Sequence, residues 1–246
     1  MYPFPRSHEL NVVIYPQMFS IYSNLSLLTR EMSDLIRFFS ITRVTKIYLV
    51  KDRGLEHITV LFSKLLKYTL KPPYLKKLIP IDEDLKKVGL TQPINIPYHA
   101  VSNGLVEGEI RVTENHETGI RGIEAYSPNT SFIMIIDSKK PEFVDYVSIF
   151  YEGPQLEIVN SKRIEQMDNL ILASRSGYDP QDKAKLLREM YYRTGITVLV
   201  GPPEGGILRK FSGIPSFNFL PKQGATDVRS KEALMAGLSI LNILLS

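Results

Sequence analysis

The sequence predicts an α/β domain on a parallel sheet, interrupted by a β-rich insertion. Three observations predict this class. Apolar strand-like runs alternate with amphipathic helical periods over the first third of the chain, and the same alternation resumes after Asp168. Between about Ile94 and Val159 the texture changes to short alternating runs separated by turn chemistry. Each flank alone has too few strands for a stable sheet, so the β-rich part reads as an insertion within one discontinuous domain. The boundaries are 1–93 and 160–246 for the α/β domain and 94–159 for the insertion.

In order, Val12 to Tyr15 reads as a strand and Ser23 to Ser40 as a helix. Leu25, Leu28, Met32, Leu35, Ile36 and Phe39 recur there at helical spacing, leaving Arg37 off the apolar stripe. Lys46 to Val50 reads as a strand and Leu55 to Leu70 as a helix. The insertion offers Leu105–Val112, Gly119–Tyr126, Phe132–Ile136, Val144–Tyr151 and Leu156–Val159, five short strands that suit a small antiparallel barrel. Asn169 to Ala173 is the next strand, followed by a turn to Asp179. A helix from Pro180 to Arg193 is opened by Asp179, and Thr197 to Gly201 is a strand. Phe217, Phe219 and Leu220 suit a buried strand that Pro221 ends, and Gly224 is expected to supply backbone angles closed to other residues. Ser230 is the expected cap of a last helix that is apolar on two sides. Such a helix is covered once by its own core and again by another subunit.

The chain has 246 residues, 43% of them hydrophobic, and no cysteine, which excludes disulfides, thiolate catalysis and cysteine-ligated zinc. Its four histidines make no metal spacing, and metal chemistry is not expected; His99 is read as structural. The opening MYPFPRSHEL has no apolar signal core, and the apolar C-terminal run is shorter than the ~20 residues a bilayer span needs. These features predict an intracellular, cytoplasmic protein that does not enter a membrane. A net charge of +4 leans toward a polyanionic partner. Lys64, Lys67, Lys71, Lys76 and Lys77 stand in one acid-free run with Tyr68 and Tyr74, the composition of an RNA-facing surface.

Gly201-Pro202-Pro203-Glu204-Gly205-Gly206 follows an apolar strand, and open α/β sheets bind ligands at that end of a strand. The loop lacks the Lys-Ser/Thr ending of a phosphate-cradling loop and the spacing of a dinucleotide fingerprint, so a plain tight turn reads equally well. Ala173 to Asp179 and Leu220 to Val228 also follow strands. Three such loops converging at one sheet edge would form a pocket that binds a small ligand through backbone groups.

The segment PKQGATDVRSKEALMAGLSILN, together with Leu35–Val50, Pro72–His99 and TVLVGPPEGG, resembles the SPOUT-class RNA methyltransferases, specifically a branch carrying an inserted OB-like barrel. The resemblance spans nearly the whole chain. It implies a C-terminal trefoil knot, a homodimer, RNA as substrate and S-adenosylmethionine as cofactor. It places the cofactor loops on Gly201, Pro202, Pro203, Glu204 and Gly205 and on Leu220, Pro221, Gly224, Ala225, Thr226 and Val228. Arg37 aligns with an arginine of the family's first helix, and Arg229 with its pattern after the QG pair. Together with Asp227 they are the candidates for handling the proton of the methylated nucleophile. Relatives usually carry an arginine and a threonine where Thr226 and Asp227 stand, and Leu172 to Gly177 replaces their Gly-Thr-Ser-Glu-Arg-Gly turn. Those departures leave open a second reading, an RNA-binding or assembly protein that keeps the knotted fold with little or no transferase activity. A nucleotide hydrolase is disfavoured by the missing phosphate-loop lysine.

Overall fold

A computed structural model describes residues 3–127, 129–202 and 207–245. Its main feature is a six-stranded parallel sheet made of β1 (Leu10–Ile14), β2 (Lys46–Val50), β6 (Gln155–Val159), β7 (Leu170–Tyr178), β8 (Ile196–Val200) and β9 (Ser216–Phe217). The strand order is β6-β2-β1-β8-β7-β9, and every adjacent pair runs parallel. Every residue of the central strands β1 and β8 is buried, as expected of strands covered on both faces.

The two faces are covered unequally. Helices α1 (Leu25–Ile41), α2 (Glu56–Leu70), α4 (Ala184–Thr194) and α6 (Ser230–Leu244) all pack against one face, where Val12, Ile47, Ile171 and Val198 point. The opposite face, with Val13, Leu172 and Leu199, is covered by the short α3 (Ser161–Glu165) and by Phe211 and Ile214, which follow α5 (Ile207–Lys210). On α1 the predicted stripe is realised: Met32, Leu35, Ile36 and Phe39 are fully buried. Each such side chain contributes about 1.5–3 kcal/mol. Asn24 sets the start of that helix by accepting a hydrogen bond from Leu27 N at 2.9 Å. α4 ends at Gly195, whose φ of +76° suits glycine and whose Cβ would lie 2.6 Å from the Glu9 carbonyl oxygen.

Several boundaries differ from the sequence reading. Asp179 does not cap α4: its carboxylate accepts from Gln181 N in a turn that precedes the helix, which begins at Ala184. β7 runs on to Tyr178, because Phe217 pairs with both Ala173 and Tyr178 across an irregular stretch. Ser230 is the first residue of α6. Arg229 occupies the cap position, its N–H donating to Glu232 Oε2 at 2.9 Å, while the Ser230 hydroxyl donates to the Gly201 carbonyl at 3.0 Å.

The β-rich segment also departs from expectation. β3 (Ile110–Val112), β4 (Phe132–Asp137) and β5 (Glu142–Asp145) form a separate three-stranded antiparallel sheet. Gly119–Tyr126 contributes no strand among the described residues, only an isolated bridge between Glu117 and Glu124. The fifth expected strand of the insertion, Leu156–Val159, is instead β6 of the main sheet, paired in parallel with β2. Its four apolar-rich residues satisfy either environment, and only the long-range partner distinguishes them.

The small sheet is clipped to the short 3-10 turn Pro73–Leu78 that follows α2. The Tyr74 hydroxyl accepts from Val112 N at 2.9 Å and donates to Val112 O at 3.2 Å, and burial pushes its pKa up to about 12. Tyr74→Phe leaves two main-chain groups of β3 unpaired and is expected to cost about 1–3 kcal/mol in urea unfolding; an unchanged midpoint would refute this role. His99 closes the same junction, with Nδ1 facing the Ile94 carbonyl and Nε2 the Leu70 carbonyl at 2.9 Å. Burial lowers its pKa.

Candidate functional site

Parallel strands β8, β7 and β9 deliver three segments to the same edge of the sheet. Val200–Pro202, Ala173–Arg175 and a loop from Asn218 to Val228 line one cleft of about 290 Å³, closed on one side by Ser230 and Ala233 of α6. The volume lies at the lower edge of the ~300–1,000 Å³ typical of small-ligand sites. The expected convergence of three strand-end loops is therefore present, although the second is an extension of β7 and not a turn.

The C-terminal loop is held by side chains that bond to backbone. Asn218 Oδ1 accepts from Leu220 N at 3.0 Å, while its Nδ2 donates to the Arg175 carbonyl at 3.0 Å. Gln223 Nε2 donates to the Ala225 and Thr226 carbonyls at 2.8 and 3.2 Å, and Arg175 Nη1 donates to the Thr226 carbonyl at 3.2 Å. Short polar side chains of this type build turns that the backbone alone would not hold. The wall is mixed: Phe219, Leu220 and Val228 are apolar, and Arg175 and Asp227 supply one charge of each sign.

Of the residues singled out in the sequence, Gly201, Pro202, Leu220, Thr226, Asp227 and Val228 line the cleft. Pro221, Gly224 and Ala225 belong to the same loop but not to the lining. Pro203, Glu204 and Gly205 lie outside the described residues. Gly224 does not occupy the left-handed region, contrary to expectation; Lys222 does, with φ of 55°. Arg37 does not line the cleft. Its guanidinium donates to the Pro93 carbonyl, and it borders a separate hollow with Arg43 and Ile94. Arg229 does not line the cleft; its charge lies near the Tyr22 hydroxyl, just ahead of α1. That hydroxyl donates to Glu31 Oε2 at 3.0 Å, and Lys231 Nζ lies 2.8 Å from the same oxygen. Burial works against the Glu31 carboxylate, but the bonds from Lys231 and Tyr22 outweigh it and hold its pKa below the usual value. Asp227 is thus the one proton-handling candidate that borders the cleft.

Sequence reading passed over Asn218, Gln223 and Ala233 as site residues. Asn218, three residues ahead of Pro221, carried a turn signal that could have been used.

The lysine run is partly neutralised in space: Lys67 stays exposed with no ion pair among the described residues, and the other four are engaged. Lys64 is bridged to Asp82 and Asp84 at 2.6 Å, Lys71 to Glu114 at 2.8 Å and Lys77 to Glu117 at 2.7 Å. Lys76 sits 4.3 Å from the centre of the Tyr68 ring, and burial lowers its pKa. The acids arrive from later in the chain, which a scan of the run itself does not see.

Among the described residues no helix is long and apolar enough to cross a membrane. No protein-family model matches the chain, and no curated protein matches it significantly.

Proposed function

We propose that the chain is an S-adenosylmethionine-dependent RNA methyltransferase acting as a cytoplasmic homodimer. The observation that carries this reading is the convergence of three strand-end segments on one cleft with an apolar wall and opposite charges on Arg175 and Asp227. Such a donor set fits a ligand with an apolar-faced base and a zwitterionic tail. When bound, the cofactor supplies an activated methyl group for a nitrogen or oxygen of the RNA. In this reading the loop residues orient the cofactor, and Asp227, at the cleft wall, accepts the nucleophile's proton.

Two finer features belong to the same proposal. β9 lies outside β7, yet α6 packs on β7 and β8 between α1 and α4, so the chain from Asn218 to Arg229 has to cross the exit of β7. We take that crossing as a threading that forms a trefoil knot, with the Asn218–Arg175 and Arg175–Thr226 bonds at the crossing point. The insert is taken as an OB-like module. Dimerisation is supported by Ile41 and Ile243, which are exposed at the ends of α1 and α6, two helices bridged there by Arg6 through Thr42 O and Asn242 Oδ1.

Titration of adenosylmethionine into the full chain is expected to give saturable binding. Ala233→Phe, which puts a ring at the cleft, should weaken it by at least about tenfold, or about 1.4 kcal/mol. Absence of binding heat at high-micromolar ligand overturns the enzyme reading and leaves the scaffold alternative, which the substituted Thr226 and Asp227 favour.

A further inference from the structure

Three of the five lysines in the Lys64–Lys77 run are bridged to carboxylates, while a second cluster of cations without such bridges lies elsewhere. Lys51 and Arg53 follow β2, Lys162 and Arg163 lie on α3 after β6, and Arg209 lies on α5 after β8. All five are exposed, and none makes a side-chain hydrogen bond or ion pair with a described residue. Three contacts bring these segments together. Lys51 N donates to the Val159 carbonyl at 2.7 Å, setting the β2 exit beside the start of α3. Lys210 pairs with Glu165 at 3.0 Å, tying α5 to α3. Ile164 of α3 and Phe211 after α5 share one core cluster on the thinly covered face. The result is a patch of free cations toward the carboxyl edge of the sheet, the same edge that carries the cleft. Strands in a sheet are spaced ~4.8 Å, so β2 and β7, three positions apart, are separated by roughly 14 Å.

We propose that this rim, Lys51, Arg53, Lys162, Arg163 and Arg209, is the surface that grips the phosphate backbone of RNA and leads it to the cleft. The choice of RNA rests on the methyltransferase reading; the polyanion surface does not. Unpaired, solvated lysine and arginine contribute counterion release on binding a polyphosphate, whereas cations already bridged to carboxylates release less. An anionic membrane is the weaker match. Surface-binding elements insert apolar side chains beside their cations, and none of the exposed large apolar residues falls in 50–55, 160–169 or 209–214.

The test is binding of a fluorescein-labelled single-stranded RNA to the full chain, without adenosylmethionine, over a salt series. The triple variant Lys162→Glu, Arg163→Glu, Arg209→Glu is expected to lose at least about tenfold in affinity. Its slope of log affinity against log salt should fall by about 2, from three phosphate contacts at ~0.7 each. The control Lys139→Glu, Lys140→Glu, Lys185→Glu makes the same charge change on exposed residues elsewhere and should leave both quantities nearly unchanged. Lys51→Ala with Arg53→Ala gives a second, milder loss that does not depend on charge reversal being tolerated. Equal losses in rim and control variants, or no loss in either rim variant, overturn the proposal. Rim-dependent binding to phosphatidylserine vesicles without RNA binding overturns it in favour of a lipid surface. Cofactor titration is made without RNA, so failure of the methyltransferase reading and failure of the rim are separately visible.

Discussion

Gly177→Ala is expected to lower the melting temperature by roughly 6–12 °C, the equivalent of about 3 kcal/mol for a chain of this size. A Cβ built on Gly177 lies 2.4 Å from Phe217 N and 2.6 Å from its Cα and carbonyl carbon. These are backbone atoms of β9, so relief requires the two strands to separate. Separation would disturb the Asn218 N–H bond to the Tyr178 carbonyl at 2.8 Å and the Asn218–Arg175 bond that shapes the cleft. Gly224→Ala is the matched control. Nothing lies within 4 Å of its Cβ position and its φ is outside the left-handed region, so the change should stay within about 0.5 kcal/mol. Thermal melts of both variants check the contrast, and equal melting temperatures would remove the close strand approach as a constraint.

The second large effect is expected at Arg111. Its side chain is fully buried in the insert, where the guanidinium donates to the carbonyls of Ser102 at 2.5 Å, Thr118 at 3.0 Å and Gly104 at 3.4 Å and lies 2.5 Å from Glu109 Oε1. One cation thereby ties together two loop segments, 102–104 and the turn at Thr118. Arg111→Ala leaves the carbonyls and a largely buried carboxylate without it and is expected to cost about 3–5 kcal/mol. Hydrogen exchange should show protection lost across the antiparallel sheet while β1 and β8 keep theirs. Arg111→Lys keeps the charge but not the planar fork and should fall between the two. Undiminished protection in the insert would mean that its turns are held by something else.

The α/β frame was legible because its signals are local. The four apolar residues in each of β1 and β8 mark strands buried on both faces, and β2 falls at Lys46–Val50 as its pattern indicates. The cleft was legible in outline because strand ends followed by glycine, proline and asparagine announce loops at a sheet edge. What was missed depends on partners distant in sequence. Lys71 meets Glu114 across 43 residues, and Lys77 meets Glu117 across 40, so a run that is wholly basic in sequence is partly neutralised in space. Beside the cleft the sterically constrained glycine is Gly177, which meets Phe217, while Gly224 drew attention through its QG context and leaves open space at its Cβ position. Leu156–Val159 has a pattern common to both kinds of sheet, and only the β2 register assigns it.

That assignment bears on modularity. The segment that returns from the insert is also the outermost strand of the main sheet, pairing with β2 from Lys46↔Gln155 to Val50↔Val159. The insert is therefore not a cassette that can be lifted out at residue 159. A graft or deletion ending there would strip β2 of a neighbour and leave a row of main-chain donors and acceptors open to pairing with another chain. One that retains Gln155–Val159 on the host side keeps β2 paired and β6 as the native edge strand, so an exchange point in the Gly153–Pro154 turn just before β6 preserves the sheet.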